Sequence, residues 1–291
     1  MEATLPLDYT PRGPVAGLPF TESGFVRRTV QKTFRTGEIG LALVDVWNFG
    51  WEGGPVVPTL GPELSLERGV SHARRKRQIV EERIVPAVGA LRRAGIQVFH
   101  CTHWDILARY PQWLDSTTEE EREAARRPRP AAPPPPGPDP AAWPPPNWVR
   151  AWREEHRDLV YNIAWMDAQR QLPPFDLAPP VRPVAGDRLV CAREQFHRLL
   201  TERRIRLLLY MGFETDECLQ FKPYGIANVQ SLGYLCVVVR DCTTTYENAE
   251  TLAGRWKTRI AVEAIEARWG YSTTSGAVCV VVRAAGAGSS P

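Results

Sequence analysis

Apolar residues recur along this chain in short runs that do not alternate with polar ones. Ile39–Val46 (IGLALVDV) is the first. A run apolar on every position predicts a strand buried on both faces, as in the middle of a parallel sheet. Asp45, then Trp47, Asn48 and a glycine-containing loop, mark its end. Between Arg77 and Ala94 the apolar positions are Ile79, Val80, Ile84, Val85, Val88 and Leu91, the spacing of one helix face. Pro86 lies inside this span and predicts a kink or break there. Ala94-Gly95 closes the helix, and Ile96–Cys101 (IQVFHC) reads as a second strand. Strand, helix, strand in this order is the grammar of a parallel sheet.

The same grammar returns in the second half. Arg188–Cys191 reads as a strand, Glu194–Arg204 as a helix and Arg206–Met211 as a strand. Cys218–Leu232 reads as a helix, with Pro223 in its first turn or bending it. Tyr234–Val239 is a strand and Asn248–Ala267 a helix. Tyr271–Arg283 fits either a strand or a strand followed by a helix. About six strands interleaved with helices predict an α/β protein, a three-layer α/β/α sandwich around a mostly parallel, doubly wound sheet.

Two stretches stand apart from this pattern. Residues 1–33 read as an irregular N-terminal arm, because Pro6, Pro11, Pro14 and Pro19 prevent a continuous helix. Pro128–Pro146 holds eleven prolines in nineteen residues. That composition favours extended polyproline and builds no packed core. The region 128–148 therefore reads as a surface insertion in a single domain spanning 34–291, with an SH3-type ligand as the alternative.

Charge adds mainly exclusions. Lys plus Arg number 36 and Asp plus Glu 33, for a formal net charge of +3. Such a balance gives no broad basic field for nucleic acid. The basic run Arg74–Arg77 (RRKR) reads as the solvated start of a helix. No stretch of about 18 apolar residues predicts a membrane span, and no leader pattern opens the sequence. Six cysteines (Cys101, Cys191, Cys218, Cys236, Cys242, Cys279) lack paired or zinc-ligand spacing with histidine. The expectation is a reduced, cytoplasmic protein with no metal and no organic cofactor. His100, His103 and Asp105 lie close together, but His103 and Trp104 read as pocket wall.

In a doubly wound sheet, chemistry collects at the carboxyl ends of the strands. The first strand ends in Asp45. The fourth ends in Gly212-Phe213-Glu214-Thr215-Asp216-Glu217-Cys218, which puts a thiol at the start of a helix. Unpaired N–H groups there favour a thiolate and can hold an oxyanion. A carboxylate from the neighbouring strand end can take the thiol proton.

The run Gly212–Cys218, the helix after it, Gly233-Tyr234, Val239-Arg240-Asp241-Cys242-Thr243-Thr244, then Glu247 and Glu250-Thr251, resemble the isochorismatase-like cysteine hydrolases. Leu43-Val44-Asp45 with Trp47-Asn48, and Ala94–Val98, resemble that family too. The resemblance implies cleavage of an amide or ureido C–N bond of a small molecule through a cysteine thioester. It implies a triad of Asp, Lys and Cys, with Asp45 the general base and Cys218 the nucleophile. The N–H groups of Thr215 and Cys218 would form the oxyanion hole, with a cis bond at Glu214–Thr215. By their position in the chain, Trp47, Asn48, His103 and Tyr224 read as substrate-pocket residues; the resemblance also implies assembly as a dimer or tetramer. The chain departs from the pattern where the family lysine belongs: Val190–Phe196 (VCAREQF) has none, and Arg193 is the nearest cation. Lys222, one turn after Cys218, reads as solvent-facing. The alternative is a family member that binds without turnover.

Overall fold

We describe a computed structural model, covering residues 2–54, 69–127, 148–155 and 175–287. Strands β1 (Glu2–Tyr9), β2 (Arg28–Arg35) and β3 (Ile39–Val44) come first. Helix α1 (Gly69–Ile79) continues through a π-helical turn, Val80–Ile84, into α2 (Val85–Arg93). Strand β4 (Gln97–Cys101) is followed by the short helices α3 (Trp104–Leu107) and α4 (Gln112–Ser116), then α5 (Glu119–Arg126) and α6 (Trp148–Glu155). Strand β5 (Arg188–Val190), α7 (Arg193–Glu202), β6 (Leu207–Phe213), α8 (Cys218–Phe221), α9 (Ile226–Gln230), β7 (Leu235–Thr244), α10 (Trp256–Arg268), β8 (Gly270–Thr273) and α11 (Ser275–Ala287) complete the order.

All eight strands share one sheet, in the order β2-β1-β8-β7-β6-β3-β4-β5. From β8 to β5 every pairing is parallel. Successive residues of the buried strands face opposite layers, as a strand's twofold repeat requires. Leu41, Leu43, Leu207, Leu209, Val237 and Val239 meet the π turn, α2 and α11. Ala42, Val44, Leu208, Tyr210, Cys236 and Val238 meet α7, α9 and α10. This is the three-layer sandwich expected from the sequence.

Three expectations need correction. The stretch read as an irregular arm contributes β1 and β2, an antiparallel pair that raises the strand count from about six to eight. Its signal is the alternation of buried Ala3, Leu5 and Leu7 with outward Glu2 and Thr4. Pro6 is tolerated because β1 meets β8 only at Asp8–Ser272, so no continuous ladder runs on both sides. The helix read as Asn248–Ala267 begins only at Trp256, after Arg255 in a left-handed conformation (φ 50°). The basic run Arg74–Arg77 is only half solvated: Arg74 and Arg77 are exposed, but Lys76 is 1% exposed and Arg75 half-buried.

Elsewhere the structure resolves what the pattern left open. The wider π turn just ahead of Pro86 accommodates a ring that would collide with the carbonyl four residues back in a regular helix. Pro223 splits the helix read over Cys218–Leu232 into α8 and α9. The tail is a strand followed by a helix. The proline-rich residues 128–147 lie outside the described residues, and no described helix is long and apolar enough to cross a membrane.

Candidate active site

The parallel strands run outward in both directions from the boundary between β3 and β6. A crevice opens at such a reversal, beyond the carboxyl ends of the two strands. Asp45 leaves β3 on one side of it and Cys218 follows β6 on the other.

Asp45 is 1% exposed and sits at φ 46°, a left-handed conformation unusual for aspartate. Its N–H donates to the Cys101 carbonyl at 3.0 Å, which ties the turn to β4. Oδ1 accepts a hydrogen bond from the Tyr224 hydroxyl at 3.1 Å. The Thr102 hydroxyl and the Cys218 thiol lie near enough to the carboxylate to favour its charged form. Oδ2 is buried without a well-formed hydrogen bond of its own, so an acceptor position is open. Burial raises the Asp45 pKa, and the contacts with Thr102 and Cys218 and the charges of Lys222 and His103 only partly offset it.

Cys218 is half-buried and free. Burial, then the charge and hydrogen bond of Asp45, push its pKa well up; Lys222 and a hydrogen bond from the Glu214 backbone oppose this. These influences favour the thiol, the opposite direction to the lowering expected at a helix start. The reason is local: α8 is only four residues long, so it offers little dipole to a thiolate. Asp45 and Cys218 both have raised pKa values and share one neighbourhood, a thiol beside a carboxylate that burial makes more basic.

The oxyanion donors differ from those expected. The Thr215 N–H donates to the Thr244 carbonyl of β7 at 3.2 Å and is not free for a ligand. The cis peptide bond lies one residue earlier than expected, at Phe213–Glu214. The Glu214 N–H faces the sulfur instead. Cys218 opens α8, so its N–H has no carbonyl partner within the helix. The Thr215 side chain pairs with the Thr243 hydroxyl at 2.7 Å, which accounts for both threonines of the motif.

The cation beside the pair is Lys222, not Arg193. Arg193 turns to the Ser231 hydroxyl at 3.2 Å and does not act on Asp45. Lys222, expected in solvent, is half-buried; its Nζ lies 3.4 Å from His103 Nε2, and its charge reaches both Asp45 and Cys218. Lys222 caps α8, four residues after Cys218 and so on the same face, and Tyr224 follows in the gap before α9.

Of the other pocket residues, Trp47 is buried, donates from Nε1 to the Thr102 hydroxyl at 2.8 Å and stacks on Phe175 at 4.8 Å between ring centroids. Asn48 serves the scaffold: its Oδ1 accepts the Asp176 N–H at 3.1 Å. His103 is exposed at the rim, whereas His100 points into the core onto Asp187, so the two histidines do not converge. A cavity of about 820 Å³ opens beside Tyr224, the hydrogen-bond partner of Asp45; Thr102, His103, Trp104, Cys191, Arg193 and Lys222 also line it, whereas Asp45 and Cys218 do not. Asp241 and Glu247 cap helices: Asp241 accepts the Ser275 N–H at 2.8 Å, and Glu247 the Thr258 N–H at 3.0 Å.

Sequence reasoning missed one group altogether. Lys76 Nζ donates to Glu214 Oε1 at 2.8 Å, and His72 Nε2 lies 3.2 Å from the same oxygen. Arg75 joins them through His72 Nδ1 at 2.7 Å and the Thr244 hydroxyl at 3.1 Å. A glutamate at an otherwise apolar strand end was the available signal, since a buried carboxylate needs a partner.

No protein-family model and no curated protein matches this sequence. Solved structures are similar to it. A cysteine hydrolase from Pseudomonas syringae pv. phaseolicola aligns at TM-score 0.50 with 15% identity, over 87% of this chain and 95% of that one. An isochorismatase family protein from Burkholderia thailandensis aligns at TM-score 0.44 with 15% identity, over 85% of this chain and 96% of that one. N-carbamoylsarcosine amidase from Thermoplasma acidophilum aligns at 0.37 with 14% identity, over 82% and 96%. With the parallel order reversing between β3 and β6, the first of these likenesses gives the chain the fold of that cysteine hydrolase.

Proposed function

We propose that the protein is a cysteine hydrolase that cleaves an amide or ureido C–N bond of a small molecule. The observation that carries this reading is the placement of the half-buried Cys218 thiol and the buried Asp45 carboxylate on the two sides of the strand-order reversal, near enough that each shifts the other's pKa. Burial makes Asp45 a stronger base than an exposed aspartate, which suits it to accept a thiol proton. As that proton moves to Asp45, Sγ attacks the substrate carbonyl carbon. The developing oxyanion is met by the N–H groups of Glu214 and Cys218. Protonated Asp45 then gives its proton to the leaving nitrogen, the C–N bond breaks, and a thioester remains on Cys218. Asp45 next takes a proton from water, whose oxygen attacks the thioester; the proton passes to the departing sulfur and the acid is released. Lys222, with His103 beside it, supplies the positive charge that the triad's missing lysine would otherwise give. The cavity beside Tyr224 is of a size for a small molecule.

The test is acylation by an activated ester such as p-nitrophenyl acetate, followed by peptide mass spectrometry. An acetyl group on Cys218, absent in Cys218→Ser and slowed at least about a hundredfold in Asp45→Asn, is the expected result. A wild type that takes no acetyl group on Cys218 refutes turnover and leaves a protein that binds without reacting. Turnover of a panel of amides and ureas then identifies the substrate.

A further inference from the structure

Lys76 is among the largest fully buried side chains of the molecule. Its ammonium lies 4.4 Å from the Phe49 ring centroid and 4.9 Å from that of Phe213. Taking an ammonium out of water is costly unless a partner compensates it. An ion partner is the Glu214 carboxylate, which is itself 2% exposed and also meets His72. Glu214 lies one residue past β6, and its backbone belongs to the turn that leads to Cys218. Its carbonyl accepts the N–H groups of Glu217 and Leu219, both at 3.1 Å, and so closes the turn that presents Cys218. Its N–H points at the Cys218 sulfur.

We infer that Lys76 is a positioning residue: through its ion pair with the Glu214 carboxylate it holds the Glu214 N–H against the Cys218 sulfur. The inference rests on Cys218 being the nucleophile, but its test does not need a substrate. Helix α1 is the rigid anchor. Lys76 and His72 grip the side chain of Glu214, while Arg75, between them, grips Thr244 and donates to the Thr245 carbonyl at 3.1 Å. Thr244 in turn accepts the Thr215 N–H. One helix thus fixes both sides of the turn, and an apolar residue at Lys76 would leave the Glu214 carboxylate buried without its principal cation.

The experiment is the pH dependence of Cys218 alkylation by iodoacetamide, read by peptide mass spectrometry alongside thermal unfolding. Lys76→Met is expected to lower the alkylation rate at fixed alkaline pH by about tenfold, the worth of one N–H bond to the sulfur, and to move the pH midpoint upward. Lys76→Met destabilises by stranding a carboxylate, so the deciding variant is Lys76→Met with Glu214→Met. That pair removes both charges at nearly constant volume, which restores stability where an ion pair is only structural. A positioning role predicts a recovered melting temperature with alkylation still slow. Wild-type alkylation with a wild-type pH midpoint in the folded double variant overturns the inference, as does an unchanged profile in folded Lys76→Met. Should the double variant fail to fold, Glu214→Gln, which keeps shape and a hydrogen bond but no ion pair, carries the same comparison. Ester acylation separately decides whether Cys218 is a nucleophile toward carbonyls, so loss of that activity and loss of positioning are read apart.

Discussion

The Tyr224 hydroxyl donates to Asp45 Oδ1 at 3.1 Å, from the gap between α8 and α9. Both groups are buried. A hydrogen bond to a carboxylate favours its charged form. Removing the hydroxyl in Tyr224→Phe should raise the Asp45 pKa further, so that the rising limb of the acylation profile moves to higher pH. A hydrogen bond to a charged group is worth about 1.5–3 kcal/mol, so the acylation rate at neutral pH should fall about tenfold or more. The pH–rate profile with p-nitrophenyl acetate checks this, with circular dichroism to show that the fold is kept.

Asp45 should also hold a stability cost. Burial raises its pKa in the folded protein above the unfolded value, so the folded state favours the neutral carboxyl. That contribution is fully present below the ordinary carboxylate range and is lost as pH rises through the raised value. Asp45→Asn carries no charge to bury. It should therefore melt a few degrees above wild type at neutral pH and level with it in acid. Thermal unfolding at the two pH values, set beside the loss of acylation, reads the trade between stability and function.

The two cations of the crevice should separate cleanly. Lys222 acts on Asp45 and Cys218, whereas Arg193 is turned to Ser231. Lys222→Met should slow acylation of Cys218 by about tenfold, and the loss should shrink in high salt for the wild type as screening weakens the same charge. Arg193→Met should change acylation by a small ester less than about twofold. Stopped-flow release of p-nitrophenol measures both.

Gly212 should not tolerate a side chain. It has φ 126°, and a Cβ there would stand 1.9 Å from the Val44 carbonyl oxygen. Neither backbone can yield, because Val44 and Gly212 are register partners in the centre of the sheet. Gly212→Ala should cost more than about 3 kcal/mol, seen as a large fall in melting temperature or loss of soluble protein.

How much of this was legible in the sequence follows from what each residue has to do. The parallel strands were legible because they are buried on both faces, so Ile39–Val44 and Leu207–Phe213 are apolar throughout. Asp45 and Cys218 were legible because they interrupt those runs at their ends. The N-terminal pair was obscured by four prolines, although Ala3, Leu5 and Leu7 already alternated. Lys222 reads as solvent-facing because a lysine usually is, and His103, beside its ammonium, lies 119 positions away. Lys76 was hidden because a basic run reads as solvated unless its acid partner is known, and Glu214 lies 138 positions away. The oxyanion donor went astray by one residue, because hydrogen bonding between Thr215 and β7 depends on a register that no local pattern encodes.

The pairing of β3 with β6 sets an order of events during synthesis. β3 gains β4 on one edge soon after both leave the ribosome, but its other edge waits for β6: Ile39 pairs with Leu207. Until then a fully apolar strand stands with an open edge, the kind of species that aggregates or recruits chaperones. The carboxylate and the sulfur meet only when that gap closes, so premature termination ahead of β6 leaves a half-sheet that carries Asp45 and never receives Cys218.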